Sequence, residues 1–548
     1  MSAKKYTDIW IGLAILSVCL FLYLVNGDFI PSNDSTSHVY GPVSILRDGD
    51  LTFTPQAEPF MFEWEWTAPG ASEAVPVSVD YWDQLAPNGA SWFELQQRGE
   101  LALAGAKYYL AATDDPETKG YVSSYGPGPG LIAVPILAVG SLFVDDYALN
   151  RALHWYSGKM AASCCAALSV MIVYLTARRL ATRSLSVVVA LAFGLGTSVW
   201  SGASQSLDQT APCLFFVTLA VFCAIRAGDR SWGIAACGAT TAAAVICRQT
   251  AALLVIAIGI DLAIEGIWRW KREGIAPAPA FRRLGWFVLG GLPLAIMLGA
   301  YNQYCFGAPW HLAQSATSLF FASAKLDSNE IWSTPFIVGF LGLTLSPSRG
   351  MFVYSPFLVF AVWGSLRSWK YASFHWMRPC TIAMLLLVAM YSKYFDWHGG
   401  WCFGYRYMIE ALPLVILGII VIAGPITRSR VWTGIFVAAL CWSITVQFIG
   451  AFAYNLVGWN NREAWVVKLP PAEKHELVID PTVADQRRRQ PGAQVTPIRM
   501  NVDAKIHRRR LGSVQDSQLV YYVARFGESR RVKKALIHHV LNPPVQSD

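Results

Sequence analysis

Apolar residues gather along this chain in blocks of roughly 17–20, the length a helix needs to cross the hydrocarbon core of a bilayer. The first block, Ile9 to Leu24, leads into Gly27-Asp-Phe-Ile-Pro-Ser-Asn-Asp34 and then a polar, aromatic-rich stretch that lasts to residue 155. A basic pair, Lys4-Lys5, precedes that block, and basic clusters at Arg178/Arg179/Arg183, Arg226/Arg230, Arg269/Lys271/Arg272 with Arg282/Arg283, Arg367/Lys370/Arg378 and Arg428/Arg430 lie between later blocks. Short loops rich in Lys and Arg stay in the cytoplasm. Anchored on them, the pattern predicts about eleven spans, at residues 8–26, 157–176, 185–202, 210–226, 231–247, 249–267, 284–301, 351–366, 379–394, 409–424 and 432–454. The N-terminus then faces the cytoplasm and the C-terminus the outside.

Two apolar segments do not fit as spans. Counting Leu131 to Val144 as a crossing would put Arg178 and Arg179 outside, so it reads as an interfacial or half-inserted helix. Pro335 to Leu345, just before Ser346-Pro-Ser-Arg-Gly350, reads the same way. Backbone broken by Pro and Gly at membrane depth is tolerated where it faces protein or a wet cavity. Both segments therefore point to a cavity on the outer side.

Composition agrees. Of 548 residues, 54% are hydrophobic and only 15% charged, where a soluble protein carries about a quarter charged. The expectation is an all-α polytopic membrane protein, multi-pass in the plasma (inner) membrane, with its first span uncleaved. Residues 1–460 would form the membrane unit, including an extracytoplasmic loop at 27–155. Residues 461–548 would form a basic tail or small domain with a strand-like stretch from Leu519 to Val523. Net charge is +8, but the basic residues scatter between spans, which excludes nucleic acid as the partner. The eleven cysteines show no C-x-x-C pair; Cys305 and Cys402 fall on the outer side, where pairing is open to them.

The candidate chemistry sits at the outer mouths. Asp34 follows the first span in Pro-Ser-Asn-Asp-Ser, which is good turn chemistry but equally the place for a base or a substrate-orienting carboxylate. His38 shares its face if the segment is helical. Glu63 and Glu65 in Phe-Glu-Trp-Glu-Trp, and Asp80 and Asp83 around Tyr81-Trp82, interleave acids with aromatics. That pattern suits sugar stacking and an interfacial belt alike. Arg349 and Arg406 lie in Gly/Pro-broken outer stretches, where a guanidinium fork suits a phosphate. Arg248 is a third such candidate, and Asp208 its partner or a neighbour in the same vestibule. Tyr125, Trp397, His398, Trp401 and Tyr405 complete the candidates for sugar or acceptor contact. No cofactor motif is present, and a divalent cation is the one cofactor left open.

Four stretches together resemble a known family: Asn33-Asp34-Ser35, Tyr125-Gly-Pro-Gly-Pro-Gly130, Leu345-Ser-Pro-Ser-Arg-Gly350 with Tyr354-Ser-Pro356, and Gly399-Gly-Trp-Cys-Phe-Gly-Tyr-Arg406 before Leu412-Pro413. The layout over residues 8–455 is similar to that of the polytopic glycosyltransferases of GT-C type that use lipid-phosphate sugars. These include the protein O-mannosyltransferases and the aminoarabinose transferases of lipid A. The resemblance implies a polyprenyl-phosphate sugar donor, with an envelope glycan, lipid or protein as acceptor at the bilayer surface. It implies Asp34 as catalytic base, Arg349 and Arg406 as phosphate ligands, and inversion at the anomeric carbon. The protein mannosyltransferases carry an Asp-Glu pair where this chain has Asp34-Ser35, which argues against the protein-mannosylating subgroup. A transporter or flippase of a lipid-linked saccharide is the main rival, and a non-catalytic polymer-export subunit the second. Transporters place ionisable residues mid-span; these sit at mouths and in loops.

Overall fold

The computed structural model describes residues 3–543, apart from 72, 228–229, 317–330, 470–473, 479–480, 491–493 and 502–504. Most of the described chain is helical, and every predicted span falls on a helix. Among the described residues five helices are long and apolar enough to cross a membrane: Tyr6–Leu24, Arg151–Ala177, Gln249–Arg272, Arg282–Phe306 and Arg430–Ala453. A sixth span is available if Arg406–Val415 and Gly418–Arg428, bent by 72° at their junction, are counted together. Three predicted spans are interrupted for local reasons. The 185–202 segment is helical over Arg183–Leu195 and then loosens at Gly196 into a π turn, Val199–Ala203. Ser355-Pro356 divides 351–366 into Met351–Tyr354 and Leu358–Ser368, because proline has no N–H to continue the ladder. The 72° bend divides the third, 409–424.

In chain order the elements that matter to the site are α1 (Ala3–Leu24), α2 (Asn33–Asp48), α3 (Gly128–Ser141), α4 (Arg151–Ala177), α5 (Arg183–Leu195), α6 (Thr210–Ala227), α7 (Ser231–Cys247), α8 (Ala252–Arg272) and α9 (Arg282–Phe306). Then come α10 (Phe336–Leu345), α11 (Leu358–Ser368), α12 (Met377–Lys393), α13 (Gly418–Arg428), α14 (Arg430–Ala453), α15 (Gln518–Ala524) and α16 (Phe526–Leu541). The central helix is α4, which packs on α1, α5 and α6 and is the most buried of the five long apolar helices. Asp8 of α1 meets Arg178 and Arg183, just past the end of α4 and at the start of α5, at 3.1 and 2.9 Å. The two helices therefore run antiparallel, and the 27–150 stretch leaves and returns at the same end of the bundle. Its short apolar helix α3 lies across α2 and α4.

That stretch also folds a small antiparallel sheet, β1 (Phe62–Trp66) between β2 (Val75–Val77) and β3 (Leu101–Ala106). Strand alternation turns Phe62 and Trp64 inward and Glu63 and Glu65 to solvent. Trp64 packs edge-on to Trp82, and Trp66 to the buried Trp92. The acid–aromatic pattern read as a possible sugar platform is thus a pleated strand whose aromatics build a core.

The strand expected at Leu519–Val523 is a correction. Those residues lie in helix α15, whose N-cap Ser517 side chain accepts the Val520 N–H at 3.3 Å. That cap nucleates a turn where β-rich residues alone suggested extension. The strands of the C-terminal segment lie earlier, in an antiparallel sheet of β4 (Asn461–Leu469) flanked by β5 (Lys474–Val478) and β6 (Gln494–Asn501). Helix α16 packs on α14, and Lys533 on it sits 3.9 Å from Asp28 and donates to the Ala451 carbonyl at 2.8 Å.

Candidate active site

At the Asp34 end of the bundle lies a cavity of about 530 Å³. The first turn of α2, the turn after α7, the end of α12 and the 395–407 loop form its walls. Asp34 sits in the first turn of α2, where helix-terminal N–H groups favour a negative charge. Its Oδ2 lies 2.5 Å from Arg406 Nη2, and its Oδ1 accepts from the Tyr125 hydroxyl at 3.2 Å. The same Arg406 nitrogen donates to Asp208 Oδ2 at 3.0 Å. Asp208 is fixed in turn by the Thr210 N–H and hydroxyl at 2.8 and 3.1 Å. One guanidinium therefore serves two carboxylates, and the cluster carries a net charge of about −1.

Local sequence explains how these groups meet. Arg406 rides on a loop in which Gly399, Gly400 and Gly404 take φ of +75°, +57° and +66°, left-handed values that residues with a Cβ rarely adopt. The Asp208 turn is tied to α2 through Ser206, whose hydroxyl lies 2.6 Å from that of Ser35. Tyr125 precedes the Gly-Pro-Gly-Pro-Gly step. Burial and the Asp34 charge push its phenol well above the usual range, so it remains a donor.

A second charged pair is formed by Arg248, which lines the cavity, and Glu410 behind it at 3.2 Å, with side chains 4% and 1% exposed. Glu410 Oε1 also accepts from the Thr250 and Tyr391 hydroxyls at 2.7 and 3.2 Å. Arg248 Nη2 donates to the Tyr391 oxygen at 2.9 Å, while its buried Nη1 has no partner among the described residues. Tyr391 and Tyr407 stack with centroids 4.6 Å apart and planes 3° from parallel. Both rings lie within cation–π range of Arg248, at 5.8 and 5.6 Å.

The remaining sequence candidates divide. Trp401 lines the cavity. His38 is on α2 as the helical reading required, but lies behind Tyr125, ring centroids 5.9 Å apart, and is fully buried. Burial lowers its pKa to about 4; the nearby Asp208 and Asp34 oppose this and Arg406 adds to it. Arg349 is a correction, because it does not reach the cavity. It is 1% exposed and spends Nη1 on Gln518 Oε1 (2.8 Å) and the Ser348 carbonyl. Its Nη2 donates to the Gly400 carbonyl (2.9 Å) and Asn460 Oδ1 (3.1 Å). A guanidinium so enclosed holds backbone together and cannot meet a phosphate without dismantling its cage.

Tyr405 is likewise buried in the bundle, its hydroxyl accepting the Ser198 N–H and 2.6 Å from that of Ser355. Trp397 lies under α10, close enough to Gly342 that a Cβ there would come within 2.3 Å of the indole. His398 braces Asp396 at 3.0 Å rather than facing the cavity. Burial pushes the Asp396 carboxyl up, but the His398 imidazole and hydrogen bonds from it, Tyr407 and the Gly400 N–H outweigh that and hold it below the usual range. Glu63, Glu65 and Asp83 are exposed outside the cavity, and Asp80 pairs with Arg151 at 3.2 Å. Cys305 and Cys402 are both free thiols; Cys305 packs with Ala111 and Val122, Cys402 against the Gly404 carbonyl.

Sequence reasoning missed Glu410, Tyr391 and Tyr109. Glu410 carried a signal, a lone carboxylate opening an apolar run, which in membrane segments marks function or a buried partner. Tyr109 lines the cavity with φ of +55°, next to Tyr108 at +54°, conformations costing about 1–3 kcal/mol each outside glycine. Nothing in the sequence announces that turn. Among the described residues no group of three or more His, Cys, Asp or Glu side chains is arranged to hold a metal ion.

Comparison with known proteins places this geometry in context. Residues 156–280 match the family model of dolichyl-phosphate-mannose-protein mannosyltransferases. The match takes in Asp208 and Arg248 and agrees with the resemblance carried by the four motifs. At family level the chain is similar to the GT-C type glycosyltransferases. No curated protein sequence matches. Among solved structures, undecaprenyl-phosphate-bound ArnT from Cupriavidus metallidurans aligns at 12% identity over 98% of this chain and 78% of that one, with a TM-score of 0.41. The oligosaccharyltransferase of Archaeoglobus fulgidus, tethered to an acceptor peptide, aligns at 11% identity over 81% of this chain and 55% of its own length, with a TM-score of 0.44. Superpositions that loose carry no weight for function.

Proposed function

We propose that the chain is a membrane glycosyltransferase that moves a sugar from a polyprenyl-phosphate donor to an acceptor hydroxyl on the outer face of the membrane. The observation that carries the reading is Asp34 in the cavity, 2.5 Å from Arg406 and steadied by Tyr125, with Arg248 on the same wall. The acceptor hydroxyl attacks the anomeric carbon while Asp34 takes or orients its proton. The sugar–oxygen bond to phosphate breaks, and its electron pair leaves with polyprenyl phosphate. Arg406, with Arg248 on the same wall, supplies preorganised positive charge for the phosphate, the kind of electrostatic stabilisation that usually contributes most to rate. A phosphate leaving group needs no general acid, so one carboxylate suffices, unlike the acid–base pair of glycosidases. Single displacement inverts the anomeric centre; a product of retained configuration would falsify the scheme.

Two features favour an enzyme over a flippase. The charged groups gather at one end of the bundle around a walled cavity, not along a route through it. The base candidate also sits on a helix terminus rather than mid-span. The deciding experiment compares envelope glycans by mass spectrometry in wild type, a deletion strain, and the deletion complemented with Asp34→Asn at matched protein level. Loss of one sugar in both altered strains supports the transferase, and the missing mass names the donor. A normal glycan profile with Asp34→Asn removes Asp34 from the chemistry.

A further inference from the structure

Arg406 can serve as proposed only if the glycine-rich loop that carries it stays put, and the structure shows what holds that loop. Gln518 lies 114 residues beyond Gly404 in sequence yet is fully buried against it. Its Oε1 accepts three hydrogen bonds: from the Gly404 N–H at 3.0 Å, Arg349 Nη1 at 2.8 Å and the Tyr354 hydroxyl at 3.1 Å. Its Nε2 donates to the Cys402 carbonyl at 2.8 Å, and its own N–H donates to Ser348 Oγ at 3.1 Å. Through Arg349, the same amide is joined to the Gly400 carbonyl. Three backbone groups of residues 400–404 thus converge, directly or through one guanidinium, on one carboxamide from the C-terminal segment.

We infer that Gln518 is a positioning residue for the transfer reaction, holding the 399–407 loop so that Arg406 meets Asp34 and Asp208. The inference rests on the proposed role of Arg406. It makes the C-terminal segment part of the working site, although helix α15 gives the cavity no wall residue. A carboxamide is the side chain this place requires. It accepts from N–H, guanidinium and hydroxyl on one atom while donating to a carbonyl from the other. No charged or apolar side chain of that length does both. The three left-handed glycines make the loop pliable, so loss of these bonds lets the loop move before the helices do.

The test uses the full-length protein, comparing Gln518→Leu, Gln518→Glu and, as a control exposed on the same helix, Val523→Ala. Backbone hydrogen exchange is read over 399–407, and kcat and KM are measured with the polyprenyl-phosphate sugar. Gln518→Leu should raise exchange in that loop and lower kcat by about 10²-fold, the cost of a misplacement near 1 Å, with KM for the donor little changed. Gln518→Glu, which keeps the accepting oxygen, should recover part of both; it also serves if the leucine variant does not fold. Val523→Ala should match wild type. Unchanged exchange in 399–407, or raised exchange with unchanged kcat, overturns the inference. If wild type itself turns over no lipid-phosphate sugar, the functional reading falls. Loop exchange alone then decides whether Gln518 positions Arg406: raised exchange over 399–407 in Gln518→Leu but not in Val523→Ala sustains it, and any other result overturns it.

Discussion

Arg406 holds both Asp34 and Asp208 through one nitrogen, at 2.5 and 3.0 Å, so its replacement strips two carboxylates of their counter-charge together. Arg406→Gln should cost about 10²–10³ in kcat, the loss typical of a removed transition-state donor, in an assay of sugar transfer from polyprenyl phosphate. Arg248 and Glu410 differ, because they are a buried pair. Glu410→Ala strands a guanidinium and should lower stability by about 3–5 kcal/mol, read as a lower melting temperature in detergent. Adding Arg248→Met to it should restore part of the loss, and equal melting of both variants would show that the pair is not coupled. His38 gives a pH signature. Its folded pKa of about 4 lies below the ordinary 6.5, so the unfolded chain binds a proton that the folded chain refuses. Its contribution is intact above pH 6.5 and is lost as pH falls toward 4, by about 1.4 kcal/mol per unit. His38→Gln should flatten that slope in a melting series.

At this scale the sequence singled out Asp34, Tyr125 and Arg406, where chemistry and broken backbone coincide, and the fold gathers the three around one cavity. It misled at Arg349. An arginine in Ser-Pro-Ser-Arg-Gly reads identically whether it faces a phosphate or a glutamine 169 residues on. Only the packed chain tells the two apart.

Helices meet here through glycine. A Cβ at Gly364 on α11 would lie 1.9 Å from the Gly418 carbonyl on α13, and one at Gly238 on α7 would lie 1.9 Å from the Phe287 carbonyl on α9. Such contacts bring backbones together where lipid offers no hydrophobic push. Gly364→Leu should therefore spread α11 from α13 and lower the melting temperature, whereas Gly259→Ala, with nothing within 4 Å of the new methyl, should not. A Gly364→Leu protein that melts like wild type would refute the close approach. Every span that hydropathy predicted falls on a helix, because apolar runs persist through breaks. Hydropathy could not see the breaks themselves, since Gly196, Ser355-Pro356 and the 72° bend stop the backbone ladder without interrupting the apolar composition.

For the molecule as a whole, contacts order the ends without counting spans. Asp8 touches Arg178 at one end of α4, and Arg151 begins that helix at the other, beside the 27–150 stretch that opens with Asp34. Gln518 reaches the loop carrying Arg406, so the C-terminal segment shares the Asp34 end. Reporters fused to the N-terminus and after Asp548 should accordingly lie on opposite faces in intact cells, the latter outside. Labelling of both from one face would contradict this arrangement.

The contact between residue 518 and residues 348–404 also orders biosynthesis. Synthesis proceeds from the N-terminus, so every bundle helix has left the ribosome before Gln518 exists. Insertion into the bilayer and acquisition of activity are separate events, the second waiting on the first. On the proposed reading, a nascent chain can hold Asp34 in place for its whole synthesis and still transfer no sugar.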